Sequence, residues 1–312
     1  MATMKAVRIH DFGGPETMTI DDLPVPQPQG DEILVRVHAA SVNPVDYKTR
    51  EGKFSPVSRE KLPITLGRDL SGTVESGGPN QRAVKRGDAI YAMLGADRGA
   101  FAEYVLVKAT EAAPKPSRLS HAEAAAVPLA ALTAWQGLFD HGGLAAGQRV
   151  LIHGGAGGVG HFAVQFAKAK GATVITTVSG DDLDFARQLG ADQVIDYKTQ
   201  RFDGMVHDVD LVFDLVGGET RERSWSVLKP GGILVSTLGQ PPQDKAAQHK
   251  VRAAGYMAQP NAAELAEIGR LIDAGKVRPV VTATLPLSQA RQAEERQQHG
   301  HVHGKIVLEL AA

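Results

Sequence analysis

The stretch that decides the fold runs from residue 150 to residue 170 and reads VLIHGGAGGVGHFAVQFAKAK. Its apolar start, Val150-Leu151-Ile152, has the composition of a buried strand, and apolar side chains recur at helical spacing after residue 158. Between the two lies a G-x-G-x-x-G hexapeptide at residues 155–160. A strand, a glycine turn and a helix in this order are typical of a turn that holds the pyrophosphate of a dinucleotide.

The six residues of this turn are therefore candidate cofactor-binding residues: Gly155, Ala156, Gly157, Gly158, Val159 and Gly160. Gly155 permits a tight turn, Gly157 lets the backbone approach a pyrophosphate, and Gly160 allows close packing of helix and strand. Unpaired N–H groups and the positive end of the helix dipole then attract the phosphates. The alternative is a purely structural glycine turn, because the chain holds 34 glycines. The agreement of strand, turn and helix favours cofactor binding.

The next strand, residues 173–178, bears on the choice of cofactor. An acidic side chain at its end would bind the ribose 2′-hydroxyl of NAD and repel the 2′-phosphate of NADP. Thr177 and Ser179 are neutral hydrogen-bonding groups at this end, and Tyr197, which closes the following strand, is expected to reach the adenine ribose. The pattern favours NADP(H) over NAD(H), although Asp181 and Asp182 follow closely.

Bulk composition narrows the class of protein. A chain of 312 residues usually forms more than one domain. The absence of cysteine excludes disulfides, thiolate catalysis and cysteine-ligated zinc. A net charge of −1 without a long basic run argues against nucleic acid, and no apolar run is long enough for a membrane span. We expect a cytoplasmic protein that acts on a small molecule, since the chain starts without a signal-peptide core.

The pattern of predicted secondary structure changes near residue 120. Short strand-like runs separated by Gly, Pro and Asp fill the first third, as at residues 32–39. Ser120 and Glu123 have the spacing of a capping box, after which strand-like and helical stretches alternate. Alternation of this kind predicts an α/β fold with a doubly wound parallel sheet, beside a β-rich domain. Residues 277–285 and a last strand near residues 304–310 are expected to be extended.

Several motifs resemble one known family along essentially the whole chain. They are Ser41-Val42-Asn43-Pro44-Val45-Asp46-Tyr47, Gly67-Arg68-Asp69-Leu70-Ser71-Gly72, Leu132-Thr133-Ala134-Trp135, the glycine turn, Leu189-Gly190-Ala191-Asp192, Val194-Ile195-Asp196-Tyr197 and Gly304-Lys305-Ile306-Val307-Leu308. Together they resemble the zinc-free quinone oxidoreductase branch of the medium-chain dehydrogenase/reductase superfamily, which includes ζ-crystallin-like proteins. The resemblance implies a GroES-like domain at 1–121 and 275–312 and a Rossmann dinucleotide-binding domain at 122–274.

The resemblance also implies chemistry without zinc. Zinc-dependent members carry a Gly-His-Glu pattern where this chain has Gly67-Arg68-Asp69, and no room for a cysteine lobe exists at residues 93–101. The implied activity is NADPH-dependent reduction of a quinone or an α,β-unsaturated carbonyl. Arg68 and Asp69 are interpreted as part of a structural charge network near the site.

Site residues follow from the same resemblance. Asn43 and Tyr47 are expected on the substrate side of the nicotinamide and Thr133 beside its ring, so these three are the candidate catalytic residues. Asn43 and Tyr47 would donate hydrogen bonds to a developing oxyanion, with Tyr47 or water as the proton donor. Four further residues are assigned to the cofactor: Val216, Leu238, Gly239 and Lys305.

Alternatives stay open at three points. Tyr47 is equally compatible with a packed aromatic ring, because one more residue usually separates Asp from Tyr in the family, and Asn43 with a turn residue before Pro44. His299, His301 and His303 are interpreted as a solvated loop, with no metal site expected. The rival function is an NADPH-binding sensor or interaction protein with little activity. The resemblance also implies a homodimer.

Overall fold

The computed structural model describes residues 2–300 and 302–310, and in it the chain forms two compact units. The first, here called the β-rich unit, comprises Met1–Leu129, Gln259–Gly275 and Pro279–Ala312. The second, the parallel-sheet unit, comprises Ala130–Ala258 and Lys276–Arg278. The domain limits expected from the sequence, 1–121 with 275–312 and 122–274, stay a prediction, because compactness alone does not test where an independently folding domain ends.

The strands are β1 (Thr3–Ile9), β2 (Met18–Pro24), β3 (Glu32–Val42), β4 (Ile64–Thr65), β5 (Asp69–Gly77), β6 (Ala89–Met93), β7 (Tyr104–Lys108), β8 (Ala112–Pro114), β9 (Arg149–His153), β10 (Thr173–Val178), β11 (Gln193–Asp196), β12 (Val209–Asp214), β13 (Leu228–Ser236), β14 (Arg252–Gly255), β15 (Val281–Pro286) and β16 (Lys305–Glu309). The helices are α1 (Pro44–Arg50), α2 (His121–Ala125), α3 (Pro128–Trp135), α4 (Gly160–Ala169), α5 (Leu183–Gln188), α6 (Gly218–Ser224), α7 (Gln243–Gln248), α8 (Ala262–Asp273) and α9 (Ala290–His299). A π-helical turn, Gln136–His141, extends α3. No helix within residues 2–300 and 302–310 is long and apolar enough to cross a membrane.

The β-rich unit is built on a seven-stranded sheet in the order β15-β16-β3-β5-β6-β8, with β7 paired to β3. A smaller sheet has the order β2-β1-β4. Alternate residues of β3, among them Ile33, Val35 and Val37, are buried in one apolar core, as the alternating pattern predicted. The last strand, β16, pairs with β3 so that Ile306 lies opposite Val42, and this brings the end of the chain beside the start of α1.

The parallel-sheet unit has six parallel strands in the order β11-β10-β9-β12-β13-β14. Counted along the chain this is 3-2-1-4-5-6, the order of a doubly wound dinucleotide-binding fold. The strands are nearly continuous in apolar residues because both faces of such a sheet are covered. The predicted α/β class, with a doubly wound parallel sheet beside a β-rich domain, is confirmed.

Local predictions differ in outcome. The capping box is confirmed, since the Ser120 backbone N–H donates to the Glu123 carboxylate at 2.9 Å and the Ser120 hydroxyl accepts from the Glu123 N–H. The sequence predicts a second helix over Leu132 to Phe139, because Pro128 interrupts the alanine-rich run. The helix instead begins at Pro128, since proline fits the first turn of a helix. The sequence predicts a long loop from Gln240 to Lys250, but this segment contains α7.

Candidate active site

The glycine turn follows β9 and leads into α4, at the point where the strand order of the sheet reverses. In open α/β sheets this switch point is where ligands bind. Gly155, Ala156 and Gly160 are buried, whereas Gly157, Gly158 and Val159 are half-buried. No described residue accepts a hydrogen bond from the backbone N–H groups of Gly158 and Val159. The turn therefore presents free donors at the start of a ten-residue helix, as an anion site requires.

A side chain at each of the three glycines of the motif would meet different surroundings. A Cβ at Gly160 would lie 2.1 Å from the carbonyl oxygen of Gly154, so this glycine allows the helix to pack on the turn. A Cβ at Gly157 would meet only that same oxygen, at an ordinary 3.4 Å, and otherwise point into open space. The left-handed backbone, with φ of 75°, occurs at Gly154 rather than at Gly155, which instead packs against Thr176. A cradle that stays open at Gly157 fits a pyrophosphate.

The polar side chains at the end of β10, which the sequence assigns to the cofactor, form hydrogen bonds within the protein. Thr177 is buried, and its hydroxyl lies 3.0 Å from Nδ1 of His153. The hydroxyl of Ser179 donates to the buried carboxylate of Asp182 at 2.7 Å. Nε2 of His153 lies 2.9 Å from the hydroxyl of Ser224, which itself donates to a carbonyl, so the ring nitrogen is the donor. Burial lowers the pKa of His153 to about 4, so the ring is neutral near pH 7.

Four large apolar side chains are exposed just after the carboxyl ends of four parallel strands. They are Tyr197 after β11, Val216 after β12, Leu238 after β13 and Met257 after β14, with 53%, 53%, 40% and 52% of their surface exposed. We call this set the apolar edge. Carboxyl ends of parallel strands share one edge of the sheet, so the apolar edge lies on the side where the glycine turn also lies. Exposed apolar side chains at this edge of a sheet are a candidate ligand-binding surface.

A buried carboxylate organises the backbone that carries Val216 and Leu238. Asp214, at the end of β12, accepts from the N–H of Gly217 at 2.7 Å and from Nε of Arg221 at 2.7 Å. Burial acts to raise the pKa of Asp214, but these hydrogen bonds outweigh it and lower the pKa. Nη2 of Arg221 also donates to the carbonyl oxygen of Leu238 at 3.2 Å, and Gly239 adopts a left-handed φ of 88°. Neither Arg221 nor Met257 was predicted from the sequence. Met257 follows β14, a strand of small residues whose composition does not indicate a strand.

In the β-rich unit the structure brings Asn43 and Lys305 together. Asn43 and Lys305 are only 1% and 2% exposed, and the Lys305 ammonium donates to Oδ1 of Asn43 and to the carbonyl oxygen of Val42. Nδ2 of Asn43 donates to the carboxylate of Asp69 at 2.9 Å, which also accepts from the hydroxyl of Ser41. Burial raises the pKa of Asp69 and lowers that of Lys305, so each charge depends on the other for compensation. The interpretation of Asp69 as a member of a structural network fits these contacts.

Asn43 also caps helix α1. Its backbone N–H donates to the carboxylate of Asp46 at 2.7 Å, and Pro44 takes the first helical position. Both amide atoms of the Asn43 side chain thus have partners inside the protein. A contact of Asn43 with substrate stays a prediction; the structure gives it a role in fixing the start of the helix that carries Tyr47.

Tyr47 lies on α1 and is half-buried. No described residue forms a hydrogen bond with its hydroxyl. Burial raises its pKa, and the charge of Glu51 acts in the same direction, so the hydroxyl is protonated at neutral pH. Thr133 lies on α3 in the parallel-sheet unit, where it is buried and its carbonyl oxygen accepts from the hydroxyl of Tyr256. Its position beside a nicotinamide ring also stays a prediction.

The structure describes two of the three histidines near the end of the chain, His299 and His303. His299 is the last residue of α9, and His301 lies outside the described residues. Among residues 2–300 and 302–310, no group of three or more His, Asp or Glu side chains has an arrangement suited to a metal ion.

A doubly wound sheet, an open glycine turn at its switch point and an apolar edge define a dinucleotide-binding protein with a separate β-rich domain. Comparison with known proteins makes this specific. A model described as "Alcohol dehydrogenase GroES-like domain" matches residues 29–117, and one described as "Zinc-binding dehydrogenase" matches residues 189–308. The human mitochondrial NAD(P)H oxidoreductase RTN4IP1 is 36% identical, over 89% of this chain and 82% of its own length.

Two further relatives cover nearly the whole chain. The chloroplastic NADPH-dependent alkenal/one oxidoreductase of Arabidopsis thaliana is 34% identical over 98% of this chain and 79% of its own length. The structure of the quinone oxidoreductase from Coxiella burnetii superposes with a TM-score of 0.91 at 39% identity, covering 99% of this chain and 100% of its own. The chain belongs to the zinc-free quinone oxidoreductase branch of the medium-chain dehydrogenase/reductase superfamily, as the motifs indicated, and it is an oxidoreductase.

Proposed function

We propose that this protein is an NADPH-dependent reductase that transfers a hydride to a quinone or to an α,β-unsaturated carbonyl compound. The observation that carries the proposal is the open glycine turn on the same sheet edge as the apolar edge. The turn offers free N–H groups for a pyrophosphate, and the four apolar side chains offer surfaces for the two flat rings of a dinucleotide. The names of the Arabidopsis and Coxiella relatives support the two substrate classes.

The chemistry requires little of the protein beyond placement and a proton. A bound reduced nicotinamide supplies the hydride. Tyr47 holds a proton at its hydroxyl, and we propose that it donates this proton or a hydrogen bond to the oxygen on which negative charge develops. The raised pKa makes Tyr47 a weak acid, which suits a donor that must stay protonated in the resting enzyme.

The buried network of Asn43, Asp69 and Lys305 has a supporting part in this scheme. It fixes the start of α1, three residues before Tyr47, through charge-assisted hydrogen bonds that water does not reach. We propose that Asn43 acts on substrate through the placement of Tyr47, or by direct contact as the family resemblance implies. The assignment of Lys305 to the cofactor likewise remains a proposal, since the structure gives its ammonium partners within the β-rich unit.

We also propose that the protein prefers NADP(H) to NAD(H). Neither Thr177 nor Ser179 carries the carboxylate that would repel a 2′-phosphate. The carboxylate of Asp182 is buried and accepts from Ser179, so it is turned away from solvent. We also assign Tyr197, with its exposed ring, to the adenine side.

We further propose that the reaction proceeds without zinc. The chain holds no cysteine, and the position that carries a histidine ligand in zinc-dependent relatives is the cation Arg68. Elemental analysis of the purified active enzyme is expected to find zinc far below one ion per chain. A homodimer is proposed on the family resemblance alone.

A substrate panel tests the function. Purified protein is mixed with NADPH or NADH and a series of quinones, alkenals and saturated ketones, and nucleotide oxidation is followed by absorbance. We expect turnover of quinones or alkenals with NADPH, slower turnover with NADH, and none with saturated ketones. Tight NADPH binding without oxidation across the whole panel would favour the sensor function and overturn the reductase.

A further inference from the structure

The β-rich unit contains a small cavity beside helix α1 that the proposed reaction does not use. Its volume is about 20 Å³, room for one or two groups of the size of water. Phe54, Val57 and Ile64 give it an apolar wall, and Arg68 lies at its rim. Phe54 and Arg68 are half-buried, so the cavity is open to the outside.

Arg68 precedes β5 and is held by the backbone of Leu94, which follows β6, rather than by an acid. Its Nε donates to the carbonyl oxygen of Leu94 at 2.7 Å, while its carbonyl oxygen accepts from the Leu94 N–H at 2.7 Å. The guanidinium carbon lies 5.8 Å from the centre of the Phe54 ring. Gly67 directs the chain into this position with a left-handed φ of 92°, where an added Cβ would clash with Phe101.

The terminal nitrogens of Arg68 have no described partner. No carboxylate of a described residue lies within 4.0 Å of them, and neither Nη atom takes part in a hydrogen bond with a described residue. The other guanidinium at the cavity, Arg98, is different: it donates to Glu111 at 2.8 Å. Burial lowers the pKa of Arg68, although nearby carboxylates, first among them Asp46, oppose the shift. A partly buried cation with two free parallel donors is a binding group for a carboxylate.

We propose that the cavity at Arg68 is a subsite for a carboxylate that the substrate carries away from its reacting carbon, and that this reductase prefers acidic quinones or enones. The proposal rests on the proposed function and names its substrate class. The planar fork of Arg68 selects the ligand, because its two terminal nitrogens match the two oxygens of a carboxylate. Asp46 and Thr49 line the cavity and flank Tyr47 along α1, so the subsite and the proton donor share one helix.

The test compares a matched pair of substrates: a para-benzoquinone that bears an acetic acid side chain, and the methyl ester of the same compound. For the natural protein we expect kcat/KM with the acid to exceed that with the ester by about tenfold or more, the effect of one charge-assisted pair of hydrogen bonds. In Arg68→Met this ratio is expected to fall to about one, mainly through KM for the acid. Arg86→Met, which removes an arginine that is 80% exposed, serves as the control and is expected to keep the ratio.

The outcomes separate this inference from the proposed function. If neither quinone is reduced, quinones as substrates and the carboxylate subsite are refuted together, and the proposed function itself fails only if the alkenals of the substrate panel are also not reduced. If both are reduced with equal efficiency and Arg68→Met leaves their ratio unchanged, the function stands and the carboxylate subsite is refuted. If Arg68→Met does not fold, Arg68→Lys decides: it keeps the charge but loses the fork, so the acid preference must fall severalfold.

Discussion

The substitution Gly157→Ala tests the glycine turn with little risk to the fold. The added Cβ would meet only the carbonyl oxygen of Gly154 at 3.4 Å, an ordinary contact, and Gly157 does not have a left-handed backbone. Replacing glycine by alanine at a compatible site stabilises a protein by about 0.4–1 kcal/mol through the unfolded chain. We therefore expect an unchanged or slightly raised melting temperature.

Binding of the nucleotide should respond in the opposite direction. The Cβ occupies the space through which a pyrophosphate would approach the backbone, so at least one hydrogen bond to a charged group is lost. Such a bond contributes about 1.5–3 kcal/mol, which corresponds to roughly a ten- to hundredfold rise in Kd for NADPH. The measurement is isothermal titration calorimetry with NADPH, alongside thermal unfolding of the same samples.

Two matched variants complete the experiment. Gly204→Ala adds the same methyl group elsewhere in the parallel-sheet unit, where nothing lies within 4 Å, so the melting temperature should be unchanged or slightly raised and NADPH binding unchanged. Gly160→Ala places a Cβ 2.1 Å from a carbonyl oxygen and should lower the melting temperature strongly. If Gly157→Ala binds NADPH as tightly as the natural protein, the turn does not hold the pyrophosphate and the reasoning is refuted.

Three further expectations concern single side chains. Lys305→Met leaves the buried charge of Asp69 uncompensated and should lower the free energy of unfolding in urea by about 3–5 kcal/mol; a loss below about 1 kcal/mol would contradict the network. Burial lowers the pKa of His153 to about 4, and His121 behaves likewise, so the unfolded chain binds protons first as the pH falls. Stability should be full above about pH 6.5 and fall toward pH 4, by at most about 1.4 kcal/mol per pH unit for each proton. His153→Gln should make that slope shallower, and an unchanged slope would speak against a buried neutral ring. Tyr47→Phe should lower kcat about a hundredfold without loss of NADPH binding; an unchanged kcat would assign the proton to water.

The sequence reveals the glycine turn because its requirements are local. A turn that must approach a ligand or pack closely on a helix needs glycine at fixed positions, and the flanking strand and helix carry their own periodicity. Even here the left-handed residue, Gly154, lies one position before the motif. Backbone angles depend on hydrogen bonds such as that from the Gly154 N–H to the carbonyl oxygen of Thr177, which a local pattern does not encode.

Contacts between distant residues could not be predicted in this way. Asn43 and Lys305 were each singled out, but their contact depends on the register in which β16 pairs with β3. That register is set by burial across the whole sheet. The resemblance alone assigned Lys305 to the cofactor, whereas the structure surrounds its ammonium with groups of the β-rich unit.

Short elements with weak sequence patterns explain why β14, Met257 and α7 were not predicted from the sequence. The strand β14 has only four residues, Arg252–Gly255, and no β-branched or aromatic side chain, so nothing in its composition predicts a strand. Met257 was missed with it, although it completes the apolar edge. Helix α7 was missed because six residues of mostly polar character lack an apolar period long enough to recognise.

The central claim is that the turn at residues 154–160 binds the pyrophosphate of a nicotinamide nucleotide. A crystal structure of the protein grown with NADPH tests it most directly. We expect pyrophosphate density against the free N–H groups of Gly158 and Val159, with the two rings against the apolar edge. Density for the nucleotide elsewhere, or an empty turn at saturating NADPH, would contradict it.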